Sequence, residues 1–158
     1  MILRFTTGYV DTGDAFESLY PKQLQISQAD KRDMVQYATF TYVWEESRII
    51  AEHYGLMCKH MFGVLGEPTP DVTPEYDNEY YAFSTTVLPE YRGLGIAKLL
   101  LAYTHGNLRN EGIHSRVIGH ATSDAMRRVR LDLGAKILNR HENWYESGRV
   151  AYFYEHYL

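Results

Sequence analysis

The stretch STTVLPEYRGLGIAKLLLAYTHGNLRNE, residues 84–111, decides the predicted fold. Its β-branched start, residues 85–87, is typical of a strand, and residues 96–103 place apolar side chains at the helical spacing i, i+3, i+4 and i+7. Between them lies a short basic turn, residues 91–95. A strand, a glycine-rich turn and a helix in that order predict an anion site. The first N–H groups of a helix have no intrahelical partner, and the helix dipole is positive there.

The turn has two further features that suit a diphosphate. Gly93 and Gly95 allow the backbone to approach a ligand that a Cβ atom would keep away, and Arg92 offers a guanidinium to phosphate oxygens. The stretch is not a P-loop, because no Gly-Lys-Ser/Thr follows a glycine at the required spacing, and it lacks the third glycine of the dinucleotide fingerprint. The residues alone leave two interpretations, a diphosphate site and a tight turn without a ligand.

The same stretch resembles the acyl-CoA loop of the GNAT superfamily of N-acetyltransferases, whose pattern is Arg/Gln-x-x-Gly-x-Gly/Ala. Here the pattern reads Arg92-Gly93-Leu94-Gly95-Ile96-Ala97, within the similar run VLPEYRGLGIAKLLL. The order of predicted elements also matches the family from roughly residue 38 to the C-terminus. The resemblance implies an α/β (α+β) fold, the GNAT acyl-CoA N-acyltransferase fold, in which helices flank a mixed, splayed central sheet. It implies one domain over residues 1–158.

The resemblance also implies acetyl-CoA as the cofactor and the residues that hold it. In the family the thioester lies between two strands that splay apart, which here correspond to 78–88 and 115–120. Backbone groups near the end of the first strand would bind the pantetheine arm, and residues 92–97 would bind the pyrophosphate. Ser123 stands at the Asn position of the family's second signature. The implied cofactor-binding set is Val87, Leu88, Arg92, Gly93, Leu94, Gly95, Ile96, Ala97 and Ser123.

The implied reaction is direct transfer of the acetyl group to a primary amine on a small molecule, a peptide N-terminus or a lysine. Such a transfer needs a base within reach of the amine. Glu79 is the nearest match to the family's base, and Tyr81 occupies the register closer to the reaction centre. His120 is the third candidate, because an unperturbed imidazole titrates near neutrality. Each of these residues can instead be structural.

The second signature departs from the family at the acid that commonly protonates the leaving thiolate. Arg130 stands at the position of that Tyr, and Ala135 replaces a Phe. Arginine cannot donate a proton at neutral pH, although it can stabilise a thiolate electrostatically. Tyr145 and Tyr152 are the substitutes that the C-terminal hairpin offers. The departure keeps an alternative open: a GNAT-fold protein that has lost catalysis and acts as a CoA-binding or structural protein.

Periodicity predicts the remaining elements. We expect strands over 2–5, 39–45 and 48–57, and a terminal hairpin of 135–144 and 149–157. We expect one helix over 31–38, capped by Ser27 or Asp30, and another from Thr122 or Ser123 to Leu133. Gly112 is expected to end the helix of the motif. The Pro- and Gly-rich segment 60–77 is expected to be a surface loop over the acceptor side.

The composition is typical of a soluble globular domain. Of the 158 residues 45% are hydrophobic and 23% are charged, and the net charge of −4 predicts no general affinity for nucleic acid or an anionic membrane. No apolar run approaches the ~18 residues of a membrane span, and the N-terminus lacks the long apolar core of a signal peptide. A single cysteine, Cys58, excludes an intrachain disulfide and suits a reducing compartment, so we expect a cytoplasmic protein.

Four further expectations concern surfaces and partners. The 14 tyrosines are open to two interpretations. Either they fill and border a sheet, or they form an aromatic-lined pocket or an oligomer interface. The acidic and aromatic residues of the N-terminal segment meet a cationic amine or form a solvated face: Asp11, Asp14, Phe16, Glu17 and Tyr20. The strand 150–157 is a candidate dimer edge, which predicts a possible homodimer. We expect no metal site, because no H-x-x-H spacing joins the histidines considered: His53, His60, His105, His114 and His141.

Overall fold

Seven strands and four α-helices make up the part of the chain that the computed structural model describes, residues 1–112 and 115–158. The strands are β1 (Leu3–Thr7), β2 (Ala38–Glu45), β3 (Arg48–Met57), β4 (Tyr80–Val87), β5 (Arg116–Ala121), β6 (Lys136–His141) and β7 (Ala151–Tyr157). The helices are α1 (Gln28–Met34), α2 (Met61–Leu65), α3 (Ile96–Glu111) and α4 (Asp124–Asp132). None of the helices formed by these residues is long and apolar enough to span a bilayer.

The strands form one sheet in the order β1-β2-β3-β4-β5-β7-β6. Every neighbouring pair is antiparallel except β4 and β5, which run parallel. This parallel seam is short, since it runs from Tyr80 opposite Val117 to Ala82 opposite Gly119. Beyond Ala82 and Gly119 the two strands no longer pair with each other. The sheet is therefore mixed and splayed between β4 and β5, as predicted.

Helix α3 covers one face of the sheet beside this seam. Ile96 and Leu100 are buried in a cluster with Val43 and Ile50 of β2 and β3. Leu99, which was predicted to lie on the same apolar face, is 50% exposed, because the buried stripe continues through Leu101, Thr104, His105 and Leu108 instead. Gly112 ends the helix as predicted, with a left-handed φ of 68°.

Several element boundaries differ from the prediction. The first helix begins at Gln28, capped by the Ser27 Oγ that accepts the Asp30 N–H at 3.1 Å, and it ends at Met34. The segment 60–77 contains α2 and is not a continuous loop. Strand β6 stops at His141, because Asn143 begins a turn with left-handed backbone angles. The predicted dimer edge is wrong, since β7 lies between β5 and β6 and the edges of the sheet are β1 and β6.

A buried ion cluster fastens the segment between β1 and β2 to the sheet. Lys31 Nζ lies 2.9 Å from Glu17 Oε1 and 2.9 Å from Glu52 Oε1, and all three residues are buried. The prediction that Glu17 contacts an amine substrate or lies on a solvated face is therefore wrong. A charge is retained in a protein interior when an opposite charge compensates it, as here. The cluster positions Tyr20, which follows Glu17, against β4.

Gly55 is predicted to be required for the packing of β3 on β4. A Cβ atom built at Gly55 would lie 2.2 Å from the Tyr80 hydroxyl oxygen and 2.5 Å from the Tyr81 carbonyl oxygen. Gly55→Ala should therefore destabilise the protein by about 1–3 kcal/mol, measured by chemical denaturation. Gly106→Ala is the matched control, because a Cβ there meets no atom within 4 Å and α3 gains a better helix former. Equal stability of the two variants would contradict this packing.

Candidate functional site

A cavity of about 760 Å³ opens where β4 and β5 separate. Its wall combines the glycine turn, residues of α4 from its cap to its last turn, both splayed strands and the turn before β7. Residues that line it include Thr86, Gly95, His120, Arg130, Tyr145 and Tyr154. The aromatic-pocket interpretation of the tyrosines thus applies to those that reach this wall, while others, such as Tyr42, fill the core.

The glycine turn presents free backbone donors to the cavity. Gly93 and Gly95 have φ angles of 79° and 80°, which glycine adopts without strain. The first intrahelical bond of α3 runs from the Leu99 N–H to the Gly95 carbonyl at 3.1 Å. The N–H groups of residues 96–98 therefore have no intrahelical acceptor. Ile96, Ala97 and Lys98 line the cavity with both glycines, whereas Leu94 is exposed and lies outside the lining.

The two backbone groups expected to bind pantetheine are already engaged by protein atoms. The Val87 carbonyl accepts a hydrogen bond from Arg92 Nε at 3.0 Å, and the Leu88 N–H donates to the Ile50 carbonyl at 3.0 Å. Val87 and Arg92 line the cavity, but Leu88 does not. Ser123 also lines it, and its Oγ caps α4 by accepting the Met126 N–H at 3.1 Å.

Glu79 is separated from the other candidate bases. Its carboxylate accepts hydrogen bonds from the Arg116 N–H at 2.8 Å and from Ser115 Oγ at 2.6 Å, so it fastens the beginning of β5. It does not line the cavity, which opens at the other end of the strands. The structure therefore does not bring Glu79 to the cavity with the other candidate bases, and its role as a base stays a prediction.

The structure brings Tyr81 and His120 together at the end of the parallel seam. The Tyr81 hydroxyl lies 2.6 Å from His120 Nδ1, and His120 Nε2 lies 2.9 Å from Asp71 Oδ2. Because an ionised carboxylate only accepts, Nε2 carries the proton and Nδ1 accepts from Tyr81. Burial lowers the pKa of His120 to about 4, against the opposing effect of Asp71, and burial raises the pKa of Tyr81 well above its usual range. Near neutral pH both groups are uncharged.

Asp71 extends this network beyond what sequence reasoning found. It accepts from His141 Nε2 at 2.6 Å and from Asn139 Nδ2 at 2.8 Å, and it has a left-handed φ of 68°. The ligand atoms of Asp71, His120 and His141 lie within 4.8 Å of one another, a spacing that a divalent cation can bridge. The expectation of no metal site did not foresee this set. Hydrogen bonds already join the three side chains through Asp71, so we treat the set as a hydrogen-bonded network.

No short motif could reveal the network, because its members are far apart along the chain. His120 is 49 residues from Asp71, and His141 is 70 residues from it. Trp144 stacks on His120 with ring centroids 4.3 Å apart. Of the histidines considered for metal binding, His114 lies outside the described residues.

The remaining candidates divide between the cavity and the core. The Tyr20 hydroxyl contacts Ser84 Oγ at 2.9 Å and Thr86 Oγ1 at 2.6 Å within the cavity wall. Tyr145 also lines the cavity, whereas Tyr152 lies under the Arg127 guanidinium and does not. Tyr145 is thus the better placed of the two predicted substitute acids.

Buried neutral histidines predict loss of stability in mild acid. Burial, supported by the positive charge of Arg130, lowers the pKa of His105 to about 3. Below the unfolded value near 6.5 the unfolded chain binds a proton that the folded chain does not, so unfolding becomes easier as pH falls. From pH 7 to pH 5 this histidine alone should cost about 2 kcal/mol, and His120 acts in the same direction. Denaturant titrations at both pH values check this; His105→Asn should reduce the difference, and an equal stability would contradict it.

Comparison with solved structures shows that the fold is that of GNAT acetyltransferases. The IAA acetyltransferase of Bacillus cereus ATCC 14579 has a TM-score of 0.71 at 13% identity, covering 99% of this chain and 100% of that chain. NAA60 of Arabidopsis thaliana, in complex with acetyl-CoA, has a TM-score of 0.71 at 14% identity, covering 99% of both chains.

The ribosomal-protein-S18-alanine N-acetyltransferase of Escherichia coli has a TM-score of 0.65 at 14% identity, covering 98% of this chain and 94% of that chain. No protein-family model and no curated protein sequence matches the chain. The likeness confirms the predicted fold class.

Proposed function

We propose that the protein is an N-acetyltransferase that transfers the acetyl group of acetyl-CoA directly to a primary amine. One observation carries the proposal: the glycine turn of α3 and the Tyr81–His120 pair lie on the wall of one cavity, at the point where β4 and β5 part. An anion site and a proton acceptor are the two parts that this reaction requires. Neighbours of the same fold include NAA60 with acetyl-CoA and an N-acetyltransferase of a ribosomal-protein alanine.

The pyrophosphate of acetyl-CoA would bind at the N-terminus of α3. The free N–H groups of residues 96–98 and the helix dipole favour a negative charge there. Arg92 has a second role in this proposal, because its Nε donates a hydrogen bond to the Val87 carbonyl in the unliganded protein. A phosphate that attracts the guanidinium would free that carbonyl for an N–H of the pantetheine arm.

Tyr81 and His120 would remove the proton that the amine must lose. The Tyr81 oxygen accepts a proton from the amine or from an intervening water, and the Tyr81 proton passes to His120 Nδ1. Asp71 then stabilises the imidazolium that forms, since its carboxylate already accepts from Nε2. The amine nitrogen forms the bond to the acetyl carbon, and the carbon–sulfur bond breaks with its electron pair on sulfur. The acceptor would lie near Tyr20 and Tyr145.

Calorimetric titration with acetyl-CoA and with CoA, using NADH as a control, tests the cofactor. A panel of small amines, short peptides and lysine peptides, followed by the release of free thiol, tests the transfer. We expect saturable binding of both CoA species, none of NADH, and thiol release with at least one amine class. Absence of CoA binding would overturn the proposal. Binding without transfer would favour the second candidate, a CoA-binding protein without catalysis. The presence of Arg130 at the position of the family's acid supports this candidate.

We also propose that the protein acts in the cytoplasm. Cys58 is buried, and burial raises the pKa of its thiol to about 12, so it is a core residue and not a reactive one.

A homodimer stays a prediction that size-exclusion chromatography checks, now without the C-terminal strand as its edge.

A further inference from the structure

The wall of the cavity contains a buried positive charge without an acidic partner. Arg130 is 2% exposed and lines the cavity. It forms no ion pair with the residues of 1–112 and 115–158, and its buried Nε has no hydrogen-bond partner among them. An arginine keeps its charge in a protein interior, so this is a desolvated cation. The isolated burial of such a charge is costly.

The groups around the guanidinium are neutral. Arg130 Nη1 lies 3.4 Å from His105 Nε2, which must accept because arginine only donates. The guanidinium carbon lies 4.6 Å from the centre of the Tyr154 ring. Burial and the charge of Arg130 lower the pKa of His53, His105 and His156, so that none of them shares a positive charge near neutral pH. Arg109 adds a second positive charge that acts on His105 and His156, and no carboxylate of the described residues is paired with Arg130.

The position of Tyr154 places this charge next to the splayed strands. A Cβ atom built at Gly119 would lie 2.4 Å from the Tyr154 hydroxyl oxygen and 2.9 Å from the Ala82 carbonyl oxygen. Ala82 and Gly119 form the last pair of the parallel seam. The Tyr154 hydroxyl therefore lies where β4 and β5 part, with the guanidinium of Arg130 stacked on its ring.

We propose that Arg130 and the Tyr154 hydroxyl form an anion subsite for the sulfur atom of CoA that leaves as a thiolate. This inference rests on the proposed function. When the carbon–sulfur bond breaks, the electron pair goes to sulfur, and Arg130 supplies the missing ion-pair partner while Tyr154 donates a hydrogen bond. No proton donor is required in this step, because the thiolate takes its proton from water on release. The tyrosine that the family uses as an acid is thus replaced by a fixed charge.

The sulfur is a better occupant than a phosphate. The diphosphate donors lie in the glycine turn and the first turn of α3. Arg130 Nη1 contacts His105, which lies nine residues beyond Ile96 and therefore about 13 Å along the axis of α3 from that turn. A ligand with its diphosphate on the turn and its chain in the gap would bring its far end, and not its phosphates, to Arg130.

The test is the pH dependence of CoA binding to the wild-type protein and to Arg130→Met. A subsite that prefers the thiolate and lowers the thiol pKa by about one unit should make CoA bind more tightly at pH 9 than at pH 6, by about tenfold at most, because the full factor is reached only above the pKa of the free thiol. R130M should lose this preference, and desulfo-CoA, which lacks the sulfur, should never show it. Arg127→Met is the matched control, since Arg127 is on the same helix but outside the cavity lining, and it should keep the preference.

Two further readouts separate this role from a structural one. R130M should melt at the same temperature as the wild type or higher, because it removes an uncompensated buried charge, and it should lower kcat about 100-fold with little change in the KM of acetyl-CoA. If the R130M protein fails to fold, the charge of Arg130 is required for the structure, and the proposal is overturned. CoA binding with the same pH preference in R130M would also overturn it, but would leave the proposed function intact. No CoA binding by the wild type would instead be the failure of the proposed function.

Discussion

Replacing Gly95 with valine is expected to abolish CoA binding while the chain still folds. Gly95 has a φ of 80°, a left-handed conformation that a β-branched residue strongly disfavours. The variant must rebuild the turn, so the N–H groups of residues 96–98 no longer have the arrangement that the proposed diphosphate site requires. Calorimetric titration should show saturable binding of CoA to the wild-type protein and none to G95V.

Gly112→Val is the matched control for this experiment. Gly112 has a φ of 68° and ends the same helix at its other terminus, so valine there meets the same backbone strain. The two variants should lose similar amounts of thermal stability, but G112V should still bind CoA. A G95V protein with wild-type affinity for CoA would refute the turn as the diphosphate site.

Replacing Tyr81 with phenylalanine is expected to lower kcat about 100- to 10,000-fold, the usual contribution of a general base. The KM of acetyl-CoA should change little, because the hydroxyl contacts His120 and not the turn proposed to bind the diphosphate. Steady-state kinetics with the best amine of the panel give both constants. A Y81F protein with wild-type kcat would exclude Tyr81 from the proton transfer.

Two companion variants sharpen this second prediction. Because Tyr81 and His120 are joined by one hydrogen bond, the double variant Y81F/H120N should be little worse than either single change. Glu79→Gln should instead lower stability and keep kcat, since Glu79 holds the beginning of β5. A large loss of kcat in E79Q, with Y81F unaffected, would return the role of base to Glu79.

The local part of the site was predictable because neighbouring residues determine it. Gly93 and Gly95 favour a left-handed turn, and a helix beginning at Ile96 follows from the apolar spacing. The splayed sheet was implied by the family resemblance and not by reasoning from neighbouring residues. That local reasoning misplaced Leu99, since the face that a helix buries depends on what packs against it.

Long-range contacts explain what the sequence could not show. Asp71 belongs to the hydrogen-bonded network of His120 only because the segment before β4 returns to the end of β5. Glu17 is part of the core only because Lys31 and Glu52 are brought to it. The last strand was predicted to be an edge, and its insertion between β5 and β6 is a property of sheet order that no local pattern encodes.

The short parallel seam makes the sheet two cooperative blocks, β1–β4 on one side and β5, β7 and β6 on the other. Strands within a block exchange many backbone hydrogen bonds, whereas the blocks share a contact of three residue pairs. Amide hydrogens along this line should exchange with solvent through local opening, before the interior of either block does. A molecule that binds across both blocks raises the free energy of unfolding, by about 2.7 kcal/mol at a concentration of 100 times its Kd. A bound substrate would thus stabilise the folded state. In a cell with little of this substrate, the two blocks would separate more often and the protein would be degraded more readily.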